Sequence, residues 1–192
     1  MMENRIMKKL FIVILLSFTN LCLFGQNKNI NLQLSKIKWT GKEITTRIHY
    51  GSLRFISGNI LFDNNLIVGG EFTVDMLSLL NEDLTGGSKD YLENHLRSED
   101  FFSVEEYPKS SLKITSTKKI DSEKYEVTGD LTIKGITKST NFILLLNNES
   151  ATVKMVFDRS KFDVKHRSSS FFSNLGDKLI YDDIELEVSL YF

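Results

Sequence analysis

Tyr125-Glu-Val-Thr-Gly-Asp-Leu-Thr-Ile133 decides the fold, because apolar and polar residues alternate along it without a break. Tyr125, Val127, Leu131 and Ile133 share one phase with Gly129, and acidic or hydroxyl side chains fill the other. Successive side chains of a β-strand point to opposite faces. The stretch therefore predicts a strand with one apolar and one polar face.

The same alternation is found both before and after this stretch. It recurs over Leu66–Val74, Ala151–Phe157 and Ile184–Phe192, with short polar turn sequences between the runs. Between Leu53 and Phe62 the apolar phase slips by one residue at Ser57-Gly58, which predicts a β-bulge or a sharp bend. Short turns join antiparallel neighbours. We therefore predict an all-β, eight-stranded antiparallel barrel, a size that either fills with side chains or keeps a cavity for one small ligand.

One segment departs from the strand pattern and predicts a short helix between strands. Over Ser88–Arg97, Leu92 and Leu96 are four residues apart, and Ser88 follows two glycines in the position of an N-cap. We expect a second short helical turn over Ser98–Phe102, packed by its two Phe. No linker or repeat is visible, so residues 26–192 are predicted to be one domain.

Residues 1–25 are predicted to be a signal peptide. Basic residues precede the apolar run Leu10–Leu16, and the apolar stretch is too short and too interrupted for a bilayer span of about 20 residues. Lipidation at Cys22 is the alternative, but Leu21 stands where such signals carry a small residue. We expect an exported protein, periplasmic or secreted, with no transmembrane segment after cleavage.

Composition excludes several classes of function. The 192 residues carry 24 Lys and Arg against 25 Asp and Glu, a net charge of −1, so no charge-driven binding of nucleic acid is expected. A single cysteine excludes an intramolecular disulfide and a cysteine-based zinc site.

The sequence contains no recognisable catalytic motif. It lacks the Gly-x-Ser-x-Gly elbow, and its three histidines, His49, His95 and His166, are far apart with no metal-like spacing. We assign no catalytic residue, no metal and no cofactor. His49, His166 and Arg167 are candidates for contact with a polar ligand head group. The loop Arg167–Phe172 is either held by two buried Phe or forms a cavity rim whose hydroxyls and Arg167 meet that head group.

An apolar surplus points to a buried ligand or to a covered outer face. Phe142–Leu146 is apolar in both phases, so we expect it to be covered from inside and from outside by a helix or a partner subunit. The inward phases of the strands would line a cavity. The candidate lining residues are Leu53, Phe55, Phe62, Phe72, Val74, Leu131, Ile133, Phe142, Leu144, Met155, Phe157 and Leu186.

Several motifs, in order, resemble the YceI-like family of secreted polyisoprenoid-binding proteins. They include Trp39-Thr-Gly41, His95-Leu-Arg-Ser-Glu-Asp-Phe-Phe102, Thr128-Gly-Asp-Leu-Thr-Ile-Lys-Gly-Ile-Thr-Lys138 and Tyr181-Asp-Asp183. The resemblance implies a lipocalin-like barrel with a helix near one end, often dimeric. Its cavity would hold an amphiphilic lipid, such as a polyisoprenoid or an isoprenoid quinone, and the family supplies no general catalytic residue.

The sequence thus predicts a non-enzymatic lipid-binding barrel, with two alternatives. The first is a filled-core barrel that binds other proteins without a ligand. The second is a barrel enzyme acting on a hydrophobic substrate, whose activity would require His49, His166 or Arg167.

Overall fold

Eight antiparallel strands form a closed ring in a computed structural model that describes residues 25–192. A ninth, short strand pairs with the distal half of β3, and one α-helix lies between β4 and β5. The elements are β1 (Gln26–Asn29), β2 (Lys36–Lys42), β3 (Ile48–Asp63), β4 (Leu66–Asn81), α1 (Gly86–Arg97), β5 (Lys109–Lys119), β6 (Lys124–Ile133), β7 (Ile136–Leu146), β8 (Ser150–Asp158) and β9 (Asp183–Tyr191).

The strand order is β3-β2-β9-β8-β7-β6-β5-β4, and pairing of β3 with β4 closes the ring. Each strand can alternate apolar and polar residues because only one face of the sheet is turned inward. The predicted eight-stranded antiparallel barrel with one helix is confirmed.

The long β3–β4 pair bends through three register shifts. One falls between Phe55 and Ser57, at the predicted phase slip, and another between Leu61 and Phe62. The shift between Leu61 and Phe62 reverses which side chains of β4 face inward, so that Ile67 is buried while Leu66 and Val68 are exposed. The expectation that Leu66 and Val68 share the apolar face of Phe72 is therefore wrong, because a bulge moves the side chains beyond it to the opposite face.

The two ends of the barrel differ. At the turn end, short turns join β3 to β4, β5 to β6 and β7 to β8; Asn64 and Asn65 both have positive φ, as a two-residue hairpin turn requires. At the helix end lie α1 with its following turns, the β6–β7 turn and the long segment 159–182 that precedes β9.

Helix α1 starts two residues earlier than predicted. It begins at Gly86, after Thr85, so Ser88 is inside the helix and is not its N-cap. Buried Glu93 accepts the backbone N–H of Asn81 at 2.8 Å, which ties α1 to the end of β4. The predicted second helical turn is wrong: residues 98–102 form hydrogen-bonded turns, and Ser103 has φ +46°.

The outward side chains of β7 are not covered. Ile143 and Leu145 are 39% and 47% exposed in the single chain. Within the described residues, no helix of the single chain covers these outward side chains, so that part of the prediction for Phe142–Leu146 is wrong, and cover by a partner subunit stays a prediction.

Buried Arg159 fixes the long segment at the helix end. Its guanidinium donates to the carbonyl oxygens of Tyr181, Val164 and Ile180 at 3.0–3.2 Å and lies 3.2 Å from the carboxylate of Asp182. A planar guanidinium can donate in several directions at once, so one side chain organises both ends of the segment.

Gly51 offers a test of the packing between β3 and β4. A Cβ added there would lie 1.8 Å from the carbonyl oxygen of Leu80 and 2.8 Å from the Trp39 ring. We expect Gly51→Ala to lower the free energy of unfolding by about 1–3 kcal/mol, measured by urea denaturation.

Gly87→Ala is the matched control, because a Cβ at Gly87 meets no atom within 4 Å. Alanine favours a helix over glycine, so this variant should be as stable as the wild type or more stable. Equal stability of Gly51→Ala and the wild type would contradict the packing described here.

A ligand cavity and a histidine pair at the helix end

The barrel encloses a cavity of about 190 Å³ that all eight strands of the ring line. Its walls are almost entirely aliphatic and aromatic. Leu92 and Leu96 of α1, with Phe101 and Phe102 just after it, complete the lining at the helix end. An apolar cavity of this kind favours an apolar ligand, because water inside it would lack hydrogen-bond partners.

Eleven of the twelve lining candidates face this cavity. The alternating pattern predicts these positions because residues two apart on a strand share a face. Phe62 is the exception: it is buried but lies outside the lining. The eleven are Leu53, Phe55, Phe72, Val74, Leu131, Ile133, Phe142, Leu144, Met155, Phe157 and Leu186.

The turn end is filled with side chains instead. Ile60, Ile67, Tyr125, Val127 and Ala151 are each at most 2% exposed, and none of them lines the cavity. The cavity therefore runs from the middle of the barrel toward the helix end.

Polar groups on the cavity wall are few. Lys42, Glu43 and His49 lie where β2 and β3 reach the helix end, and buried Arg159 lies beneath the long segment. Deeper in the wall, the hydroxyl of Ser110 is buried and has no hydrogen-bond partner among the described residues. A buried hydroxyl without a partner is unfavourable, so Ser110 offers a hydrogen bond to a polar atom inside the cavity.

His49 is held by an acidic partner. Its Nδ1 lies 2.8 Å from Oδ2 of Asp83, and Oδ1 of the same carboxylate accepts the backbone N–H of Tyr50 at 2.8 Å. Burial acts to raise the pKa of Asp83, but hydrogen bonds from Tyr50, His49 and Asn81 outweigh it and lower that pKa below its usual 3.8. The pair fixes the imidazole at the cavity rim.

His166 and Arg167, the other head-group candidates, lie elsewhere. They line a separate surface pocket at the helix end with Asp100, Lys134 and Lys165. The structure thus brings only His49, of the three candidates, to the cavity wall.

Neither interpretation of the loop Arg167–Phe172 is correct. Phe171 and Phe172 are 43% and 50% exposed, so buried Phe do not hold the loop. The hydroxyls of Ser168 and Ser170 each donate to Asp182 at 2.8 Å, so they are engaged within the protein.

Sequence spacing did not reveal that His95 and His166 are neighbours. Their rings meet edge to face at a centroid distance of 4.5 Å, and Phe101 packs against both. Burial, followed by the charges of His95 and Arg167, lowers the pKa of His166. The contact joins α1 to the segment after β8. Because 70 residues separate His95 from His166 in the sequence, no local motif could reveal it.

A closed eight-stranded antiparallel barrel with an apolar cavity defines a class of small-ligand binding folds. Within residues 25–192, no helix has the length and apolar character needed to cross a bilayer. The sequence-family model of the YceI-like domain matches residues 29–192 of this chain. The chain therefore belongs to the YceI-like family.

Curated relatives match over part of their length. A UPF0312 protein of Photorhabdus laumondii is 36% identical over 89 residues, which are 46% of this chain and 44% of the relative. Protein YceI of Escherichia coli O157:H7 is 33% identical over 114 residues, 59% of this chain and 53% of the relative. The chain thus spans about half the length of these relatives.

Solved structures share the fold. Burkholderia cenocepacia BcnA superposes with a TM-score of 0.65 at 20% identity, covering 84% of this chain and 98% of its own. A polyisoprenoid binding domain from Saccharophagus degradans, implicated in plant cell wall breakdown, gives 0.57 at 11% identity, covering 85% and 95%. At these identities the similarity shows the barrel alone.

The lowered pKa of Asp83 predicts a specific response to acid. A carboxyl with a lower pKa in the folded state stabilises the fold above its unfolded pKa, and this contribution is lost as the pH falls through the folded value. We expect Asp83→Asn to be less stable than the wild type at about pH 6 and the difference to shrink toward about pH 3, measured by thermal unfolding.

The exposed Asp177 supplies the control. Asp177→Asn should follow the wild-type curve at every pH. If Asp83→Asn also runs parallel to the wild type, the hydrogen bonds assigned to Asp83 do not stabilise the fold.

Proposed function

We propose that this chain is an exported binding protein that carries or sequesters an isoprenoid, or a similar amphiphilic lipid, inside the barrel and performs no catalysis. The observation that carries the proposal is the apolar cavity between the middle of the barrel and the helix end. Its presence argues against the alternative of a filled-core interaction barrel. Among residues 25–192, no arrangement of side chains on the cavity wall specifically favours the enzyme alternative.

Burial of the hydrocarbon supplies the affinity. Each buried CH2 contributes about 0.8 kcal/mol, so one five-carbon isoprene unit contributes about 4 kcal/mol. Association costs about 4–15 kcal/mol, and a micromolar complex needs a net of about 8 kcal/mol. About three to six buried units therefore suffice. The ligand class agrees with the Saccharophagus degradans domain, which is described as polyisoprenoid binding.

The polar head group would lie at the helix end. The turn end is filled, and the charged and imidazole groups of the wall, Lys42, Glu43 and His49, lie at the opposite end. The buried hydroxyl of Ser110 is a further contact for a polar atom on the ligand. Of the head-group candidates we retain His49, because it alone lines the cavity.

Location and assembly are parts of the same proposal. Export to the periplasm or beyond rests on residues 1–25; the predicted signal peptide lies outside the described residues except for Gly25. A homodimer rests on the family resemblance, and the exposed Ile143 and Leu145 on the outer face of β7 would suit a second copy.

Filling the cavity should abolish binding without disturbing the fold. Val153 and Leu186 face the cavity from adjacent strands, so Val153→Phe with Leu186→Phe places two rings in the ligand space. We expect at least about tenfold weaker affinity for geranylgeraniol, since most of the buried hydrocarbon contact is lost. Trp39, the single tryptophan, lines the cavity and reports binding through its fluorescence.

The control makes the same two substitutions on the outer face of β4. Val68 and Leu77 are 51% and 55% exposed, so Val68→Phe with Leu77→Phe should bind geranylgeraniol as the wild type does. Equal affinity of the cavity-filled and control variants, or no binding by the wild type, would reject the proposed site.

A further inference from the structure

We propose that His95, Asp100 and His166 form a binding site for a divalent transition-metal ion of the zinc type at the helix end of the barrel. The three side chains each offer one ligand atom, and these atoms all lie within 4.8 Å of one another. The inference rests on this geometry and does not depend on the proposed lipid ligand.

The geometry needs only a small contraction around an ion. Bonds of about 2.0–2.2 Å to one tetrahedral ion place the ligand atoms about 3.3–3.6 Å apart. His95 Nε2 and Asp100 Oδ2 are already 3.2 Å apart. The His166 ring stands at 82° to that of His95, so both rings border the same space.

His166 supplies an independent sign of a missing ligand. Its Nε2 is buried and has no hydrogen-bond partner among the described residues. Buried imidazole nitrogens are normally paired, and an ion or ordered water accounts for those that are not.

The surroundings tolerate an added cation. The adjoining pocket carries Lys134, Lys165 and Arg167, but Glu99, Asp100 and Asp163 balance them. Two imidazoles and one carboxylate suit zinc, and three protein ligands leave a fourth position for water from the pocket.

A bound ion would connect two segments that are distant in sequence. His95 belongs to α1, whose Leu92 and Leu96 line the cavity, and His166 belongs to the segment that Arg159 anchors. Because a metal that binds only the folded state stabilises it, the ion would hold α1 against the barrel wall.

Titration of the mature chain, purified without a polyhistidine tag, with ZnCl2 in a calorimeter tests the site. We expect one ion per chain with a dissociation constant of about 10 μM or tighter, and a higher melting temperature in its presence. His95→Gln, His166→Gln and Asp100→Asn should each weaken zinc binding at least about tenfold, because each removes one of three ligands. With Co²⁺ in place of zinc, absorption in the visible region should report the low-coordinate site.

Asp163→Asn is the matched control, because Asp163 lines the same pocket but lies outside the ligand cluster. It should bind zinc as the wild type does. Asp100 is exposed, so Asp100→Asn tests the site even if a histidine variant fails to fold. Absence of saturable zinc binding by the wild type, or equal binding by Asp100→Asn and Asp163→Asn, would overturn the proposal.

Discussion

Pairing between β3 and β4 is the constraint on which the structure depends, because it closes the sheet into a ring with one inside. Once the ring is closed, the inward residues of every strand must share a single interior. Eight strands give an interior that side chains can just fill. At the turn end Ile60, Tyr125 and Val127 fill it, whereas toward the helix end the lining side chains leave a cavity.

The long connections of the chain and most of its polar cavity groups lie at the helix end. Two buried side chains tie these connections to the barrel: Arg159 donates to three carbonyl oxygens of segment 159–182, and Glu93 of α1 accepts the N–H of Asn81 at the end of β4. At the same end, Asp83 holds His49 at the cavity rim, and His95 packs against His166. The polar groups available to a ligand or an ion are thereby concentrated at one end.

The alternation of residues predicted most of the barrel and most of its lining. It succeeds where a strand runs straight, as in Tyr125–Ile133, because the period of two fixes which side chains face inward. It fails at Leu66 and Val68, where a bulge between Leu61 and Phe62 reverses the phase, and bulges carry no unambiguous mark in sequence. Phe62 is buried but lies outside the cavity. Alternation predicts which face of the sheet a residue is on but not its height along the barrel, so this exception could not be predicted.

The contact between His95 and His166 was beyond sequence reasoning for a different reason. It depends on where α1 and the segment after β8 pack, which is a tertiary property, and no local spacing encodes it. The start of α1 was misjudged for a local reason, since Gly86 has φ +58° and still begins the helix.

The most direct test of a ligand-carrying barrel is to isolate the protein from its native host, extract it with organic solvent and analyse the extract by mass spectrometry. The account predicts a defined hydrophobic chain, near one molecule per barrel, that disappears when the cavity is filled. An extract that contains no lipid, from protein shown to be folded, would contradict it.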